Sequence, residues 1–535
     1  MKDPPSPAMI PETPDPRPPI SLRKKLLFTV LMIGLTLVLA ELAFRAYSSF
    51  GSAPPSVSLA SQSEDWRRKW IERRSRSGRE VFHGYDRYHP LFGWLCRPDL
   101  DSFRDGSQPP VSTNSRGFRS PHEFEAPRRD GVTRIVVLGD SFTFGEEVGD
   151  GDCWPARLEQ QLGDVEVFNL AIHGYGTDQQ LRVLEEEGLR TRPDVVVVGF
   201  FLENILRNGL SFRDYAKPRY ILREGELVLT GSPVPSPEEI LKEEPERPLS
   251  YLWHHLATRL ESRLLSANLD QLAERQGLFP LARALLARMK ERADSVGARM
   301  MVVVITGLHW PMPEAERLVA QWGAELGFEV VEPKSDLDDA EKRYQRSMYS
   351  VLHFNPLGNF VTARAVAQAL IRLAWVETPT PSTLEANRRL LERILANLPT
   401  GALDQHNLGK RAQERGDARA AIRHYRAALR LQPDAAATAS ELAWILATHP
   451  DPDLRAGQEA VSMAEKACEA VSYRIVAPLV SLAAAYAEVG RFEEAVEIIG
   501  RAMAVVRKDP YQASVHDLDR MLELFRDRRP YREEP

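Results

Sequence analysis

Ser141, Gly174, Asn204 and His353 have the residue types, and follow in the order, that acyl transfer requires. A serine becomes a nucleophile when a base removes its proton, and the tetrahedral oxyanion it then forms must be met by hydrogen-bond donors. Ser141 lies in Arg134-Ile-Val-Val-Leu-Gly-Asp-Ser-Phe-Thr-Phe-Gly145, where an apolar run breaks at Gly139 into Asp140, Ser141 and Thr143. Small polar side chains at such a break suit a tight turn and a helix cap. Gly174, in Asn169-Leu-Ala-Ile-His-Gly-Tyr-Gly176, can offer a backbone N–H with no side chain in the way, and Asn204, in Phe200-Phe-Leu-Glu-Asn204, can offer an amide. His353 is the candidate base, in His353-Phe-Asn-Pro-Leu-Gly358, with Asn355 beside it ahead of a proline-started helix. Each residue alone also has a plain structural reading. Asp140 adjoins the serine and reads as a hydrogen-bond partner of the turn, Gly176 as a turn former, and His173 and His309 as histidines without visible partners.

The elements that must position these residues alternate along the chain. Residues 135–138, 165–170, 194–200 and 299–305 are short runs rich in Val, Ile, Leu and Met, the pattern of strands buried on both faces of a parallel sheet, and 328–331 is a further strand. Between and after them, residues 154–162, 177–189, 313–326 and 356–374 have helical periodicity. Strands alternating with helices of this length predict a doubly wound parallel sheet, whose ligands sit at the carboxyl ends of the strands. The interval from Asn208 to Gly297 interrupts the rhythm with a hairpin over 219–229, a proline-rich loop and helices around 249–265 and 278–295. Residues 82–129 read as short strands and turns, with glycines in Pro90-Leu-Phe-Gly-Trp94 and Asn114-Ser-Arg-Gly-Phe-Arg119.

Residues 82 to about 375 resemble the SGNH (GDSL-type) hydrolase family: Gly139-Asp140-Ser141 matches its first block, Gly174 its second, Asn204 its third and His353 its last. The resemblance implies a flavodoxin-like three-layer α/β/α domain, with Ser141 as nucleophile and His353 as general base. It implies an oxyanion hole made by the N–H groups of Ser141 and Gly174 and the Asn204 side chain. No cofactor and no metal are implied. The Gly-Trp and Asn-Ser-Arg-Gly-Phe-Arg stretches also resemble membrane-anchored bacterial members, some of which add or remove O-acetyl groups on extracellular polysaccharides. Two positions depart from the family. Ser350 stands where an aspartate commonly precedes the histidine by three residues, and Glu203 precedes Asn204 where glycine is usual, so a one-residue shift would put Glu203 at the amide position. Three accounts of Ser350 remain open: a carboxylate from Asp336, Asp338 or Asp339 orients His353, a main-chain carbonyl does, or the domain no longer catalyses. Asp140, Asn355 and Ser350 are therefore supporting candidates around the Ser141–His353 pair.

Outside this region the chain changes character twice. Residues 1–22 are proline-rich and read as a disordered cytoplasmic tail. Arg23-Lys24-Lys25 then precedes an apolar run from Leu26 to Phe44, long enough at about 28 Å to span a bilayer core. Basic residues on its N-terminal side predict an uncleaved anchor over 23–46, single-pass in a bacterial inner membrane with the rest of the chain periplasmic; a signal peptide is the competing reading. Residues 47–81 form a polar linker, with Arg67-Arg68-Lys69 and Arg73-Arg74 around Trp66 and Trp70, read as a lipid-facing amphipathic segment or a solvated spacer. The α/β domain is placed at 82–378. From 383 to 535 the composition turns to alanine, leucine, glutamate and arginine, and Leu408, Gly409, Gly416, Ala421, Tyr425, Ala428 and Pro433 fall at the offsets of a helix-turn-helix unit resembling the tetratricopeptide repeat. A second copy runs through Leu482, Tyr486, Gly490, Ala495 and Ala502, with a looser one between them. Such arrays present a surface to protein partners. A net charge of −6 over 535 residues argues against nucleic acid, and three cysteines show no metal spacing, although a Cys96–Cys153 bridge is open. The expected protein is an extracytoplasmic serine esterase or O-acyltransferase acting on acylated carbohydrate or a related envelope ester. The alternative is a non-catalytic envelope scaffold that binds glycan and recruits partners through its repeats.

Overall fold

The computed structural model describes residues 22–50, 67–68, 70–72, 74, 81–82, 84–104, 109–124, 127–242, 250, 252–253, 269–307, 312–398, 401–508 and 517–533. The expected tail over 1–21, most of the helix expected around 249–265, and His309 lie outside these residues. The chain forms two compact units, one of residues 1–53 and 247–258, the other of residues 54–246 and 259–535.

In the first unit, helix α1 (Leu22–Phe50) contains an 18-residue stretch, Phe28–Arg45, long and apolar enough to cross a membrane. Glu41 is the acidic residue within it, and its carboxylate accepts from Arg45 Nε at 2.9 Å and from Ser250 Oγ at 2.9 Å.

The second unit is built on a parallel sheet of five strands. In chain order come the antiparallel pair β1 (Asp86–His89) and β2 (Gly93–Cys96), then β3 (Thr133–Leu138), β4 (Val165–Asn169), β5 (Val195–Phe201), the hairpin β6 (Arg219–Arg223) and β7 (Glu226–Thr230), β8 (Arg299–Ile305) and β9 (Glu329–Val331). The sheet runs β4-β3-β5-β8-β9, so its first strand in the chain lies between its second and third. That order puts a topological switch point between β3 and β5, where a crevice opens outside the strand ends. Ile135, Val136, Val137 and Leu138 are fully buried, as are Val196, Val197 and Val198 paired beside them, because helices cover both faces. After the one-turn helix α2 (Ser141–Phe144), α3 (Trp154–Leu162) and α8 (Pro356–Arg372) pack together on one face, while α4 (Thr177–Glu186) and α5 (Leu278–Ser295) pack together elsewhere on the sheet. Two further helices of this part are α6 (Pro313–Leu326) and α7 (Lys334–Tyr344). This is the expected flavodoxin-like arrangement.

Helix α9 (Pro381–Asn397) lays Leu390, Leu391, Ile394 and Leu395 on this same core. Three helical hairpins follow: α10 (Ala402–Glu414) with α11 (Ala418–Leu431), α12 (Ala436–Thr448) with α13 (Gly457–Ala470), and α14 (Val476–Glu488) with α15 (Phe492–Lys508), closed by α16 (Leu518–Arg526). Gly409 is needed where α10 crosses α11, since a Cβ there would come 2.6 Å from the Tyr425 ring. Trp70 and Ile71 correct the reading of the 47–81 stretch at that point. Ile71 is fully buried and the Trp70 ring meets Phe212 at 5.2 Å, so the apolar side of this turn packs on protein, neither on lipid nor in solvent. Cys96, Cys153 and Cys468 are all buried free thiols, so the bridge between Cys96 and Cys153 is not formed.

Candidate active site

The turn after β3 is shaped by contacts that admit only its own residues. Thr143 lies against both Gly139 and Gly199 at the ends of β3 and β5, and a Cβ on either glycine would be driven into it. Asp140 caps α2, its Oδ1 accepting from Phe142 N at 3.0 Å, and Arg207 Nη1 lies 3.4 Å from its other oxygen. Helix α2 ends after one turn at Gly145, where φ is +88°. The serine is thereby held at the crevice by a strand, a capped turn and an abrupt stop.

His353 reaches the same point from the far end of the domain. Asn355 caps α8, its Oδ1 accepting from Leu357 N and Gly358 N at 2.9 Å each, and its Nδ2 ties back to Ser347 O at 2.6 Å. The loop so fixed places His353 Nε2 at 2.9 Å from Ser141 Oγ. Nδ1 of the same ring lies 3.1 Å from Glu147 Oε1, and Phe142 packs edge-on against it. Glu147 Oε2 in turn accepts from Val351 N at 3.0 Å, so the carboxylate grips both the ring and the loop that carries it.

The carboxylate that faces His353 Nδ1 thus comes from the loop that carries Ser141, six residues after the serine, and not from position 350. Asp336, Asp338 and Asp339 lie on α7, and Asp338 pairs with Arg411. Glu147 holds φ at +68°, a left-handed conformation that costs a non-glycine residue about 1 kcal/mol or more and persists where surroundings impose it. Those surroundings centre on buried Arg119, whose guanidinium donates to Phe144 O (3.1 Å), Gly145 O (2.6 Å) and Val148 O (2.8 Å) and pairs with Asp150 (2.8 Å). The sequence shows Arg119 only as the end of a turn motif, and shows Glu146-Glu147 only as acids following the glycine that stops α2. Two acids directly after that glycine, on the crevice side of the sheet, were the available signal.

Charge around the ring is strongly acidic. Glu146 Oε2 stands 3.5 Å from His353 Nε2, and its other oxygen 3.7 Å from His173 Nδ1. Burial alone would pull the His353 pKa down, but the Glu147 hydrogen bond and the Glu146 and Glu147 charges outweigh it and raise it above the ordinary imidazole value. Burial likewise opposes the charge on Glu147, and His353 with the Val351 and Leu352 amides overcomes it, holding the carboxyl below its usual range. His173 pairs through Nε2 with Asp86 at 2.8 Å, and despite burial its pKa is raised to about 9. It is a partnered histidine, with its ring occupied on both nitrogens.

Gly174 follows β4 and Asn204 follows β5, each at the carboxyl end of a strand beside β3. Gly174 has φ of +77° and is crowded by Arg213, Asp214 and Trp94, so no side chain fits there. Asn204 opens the one-turn helix Asn204–Arg207 after β5 and is fully buried, with its amide directed to the Asp140 carboxylate. Glu203 pairs with Arg207 at 3.2 Å. Among the described residues no group of three or more His, Cys, Asp or Glu side chains is arranged to hold a metal ion.

The arrangement can move a proton from a serine hydroxyl to an imidazole backed by a carboxylate. Residues 137–359 match the family model described as GDSL-like lipase/acylhydrolase. Among solved structures the chain is similar to a lipolytic protein of the G-D-S-L family from Veillonella parvula, at 14% identity and a TM-score of 0.28, over 45% of this chain and 100% of that one. It is similar also to a psychrotrophic esterase from a Pseudoalteromonas species (12% identity, TM-score 0.28, 45% and 98% covered) and to a lipase/acylhydrolase from Enterococcus faecalis (14%, 0.26, 46% and 100%). No curated protein matches the chain. The segment that matches the GDSL-like lipase/acylhydrolase family model, residues 137–359, contains Ser141, Gly174, Asn204 and His353.

Proposed function

We propose that this protein is an extracytoplasmic serine esterase or O-acyltransferase that forms an acyl-enzyme on Ser141, with His353 as base and Glu147 as the carboxylate that orients it. The observation that carries this is the continuous chain from Ser141 Oγ through His353 to Glu147, at 2.9 and 3.1 Å. Ser141 Oγ attacks the ester carbonyl as its proton passes to His353 Nε2, and Glu147 stabilises the imidazolium that results. The oxyanion is met by the N–H groups of Ser141 and Gly174 and by Asn204 Nδ2. Nε2 then returns the proton to the leaving alcohol. A water or a sugar hydroxyl, deprotonated by the same nitrogen, releases the acyl group in the second half-reaction.

Substrate class follows from the rim. Glu146, Glu203, Arg213 and Asp214 are all partly exposed around Gly174 and the ring, a polar lining suited to the hydroxyl-rich body of an acylated carbohydrate rather than to a long acyl chain. The apolar stretch of α1 supports a membrane anchor with the catalytic part outside the cytoplasm, and the hairpin array supports a tetratricopeptide-like surface for a protein partner. The test is turnover of p-nitrophenyl acetate by the full-length protein and its Ser141→Ala variant. Loss of kcat on the order of 10⁶ is expected, and equal turnover by both would refute the acyl-serine reading.

A further inference from the structure

The loop that carries His353 is held from outside the family domain. Asp404, Asn407 and Arg411 lie at i, i+3 and i+7 of α10, on one face of that helix. Asn407, buried at 1% exposure, donates from Nδ2 to Ser350 O at 2.6 Å and to Tyr349 O at 3.1 Å. Asp404 Oδ1 accepts from Ser347 N at 2.7 Å. Arg411 pairs with Asp338 and with Glu341 on α7, and its guanidinium lies over the Tyr349 ring. Ser350 N donates to His353 O at 2.9 Å, so one residue separates the Asn407 amide from the base.

Met348, Tyr349 and Phe354 of this loop pack into the domain core, while an open pocket of about 710 Å³ lies along its other side, lined by Tyr349, Ser350 and Asn355 and by Ile394, Leu398 and Asp404 of the helical region. On that side the loop's carbonyls are held by directional bonds. We infer that Asn407 is a positioning residue for His353: by holding the Tyr349 and Ser350 carbonyls, α10 sets the imidazole between Ser141 and Glu147 and ties the helical region to the active site. The inference rests on the esterase reading for its effect on rate. Its effect on the His353 ring stands apart from that reading.

Two readouts on the full-length protein separate them. Asn407→Leu keeps the side-chain volume and removes the donor, and Asn407→Asp is a second, isosteric removal should the first fold poorly. Each is expected to lower kcat for p-nitrophenyl acetate about 10- to 100-fold with KM unchanged, as small misplacements of a catalytic group do. Each is also expected to lower the His353 pKa, followed by NMR of protein labelled with ¹⁵N-histidine and assigned with His353→Gln. The groups facing that ring are Glu146, Glu147, Asp140 and Ser141, and a loosened loop weakens the Glu147 bond first. Lys410→Ala, which breaks only a pairing with Glu441, leaves both readouts as in the parent. A His353 titration unchanged in both Asn407 variants overturns the inference. Absence of Ser141-dependent turnover in the parent overturns the esterase reading, while the titration still decides the role of Asn407.

Discussion

His353 is faced by Glu147 at Nδ1 and by Glu146 on the Nε2 side, and these charges set the pH at which it can accept a proton. Both carboxylates favour the imidazolium. The neutral ring, the form that can act as base, therefore prevails only above an apparent pKa higher than the ordinary 6.5. The kcat/KM profile should rise through that pKa, and Glu146→Gln should move the rising limb to lower pH while retaining turnover; a shift to higher pH would contradict this electrostatic account. Glu147→Gln removes the acceptor that fixes the ring and should reduce kcat by about 10³- to 10⁴-fold, measured at a pH well above the limb. A reduction of only a few fold would mean that another group orients His353. The juxtaposition of Ser141 and His353 was legible in sequence because each sits in a short turn whose residue types are restricted. Glu147 was not, because its role depends on a left-handed φ and on Arg119, which approaches from 28 residues upstream. The family habit of an acid near the histidine pointed instead to Ser350 and α7.

Among the elements, the β1–β2 hairpin works as a brace for the loop after β4. Trp94 Nε1 donates to His173 O at 3.0 Å, and Asp86 holds the His173 ring. His173 is titrated upward, from 6.5 to about 9, so this pairing contributes stability that is fully present below pH 6.5 and lost as pH rises through about 9. The shift corresponds to about 3 kcal/mol. Asp86→Asn should lower the unfolding free energy at pH 6, by a part of that amount because Glu146 and Asp214 share in the shift, and by little at pH 10, in urea melts at the two values; an equal loss at both would show that packing, not charge, is the link. The parallel sheet itself was readable from its continuous β-branched runs, and so was the β6–β7 hairpin, from the turn at Gly225. Helix α7 was not read, since Lys334–Tyr344 buries few of its residues and is mostly polar along its length.

At the scale of the whole molecule, the sequence presents an anchor, a hydrolase and a repeat array as separate pieces. The second unit joins the latter two, through α9 packed on the α/β core and through Asn407 on the base loop. Such long-range bonds leave no periodic trace, which is why composition and spacing delimit the helical region without revealing what its first helix touches. All of this rests on Ser141 being a nucleophile. The direct measurement is mass spectrometry of the intact full-length protein after exposure to a fluorophosphonate, followed by peptide mapping. The account predicts one phosphonyl adduct, on the peptide containing Ser141, absent in Ser141→Ala and formed far more slowly in Glu147→Gln. An unlabelled parent, or an adduct that persists when Ser141 is replaced, would contradict it.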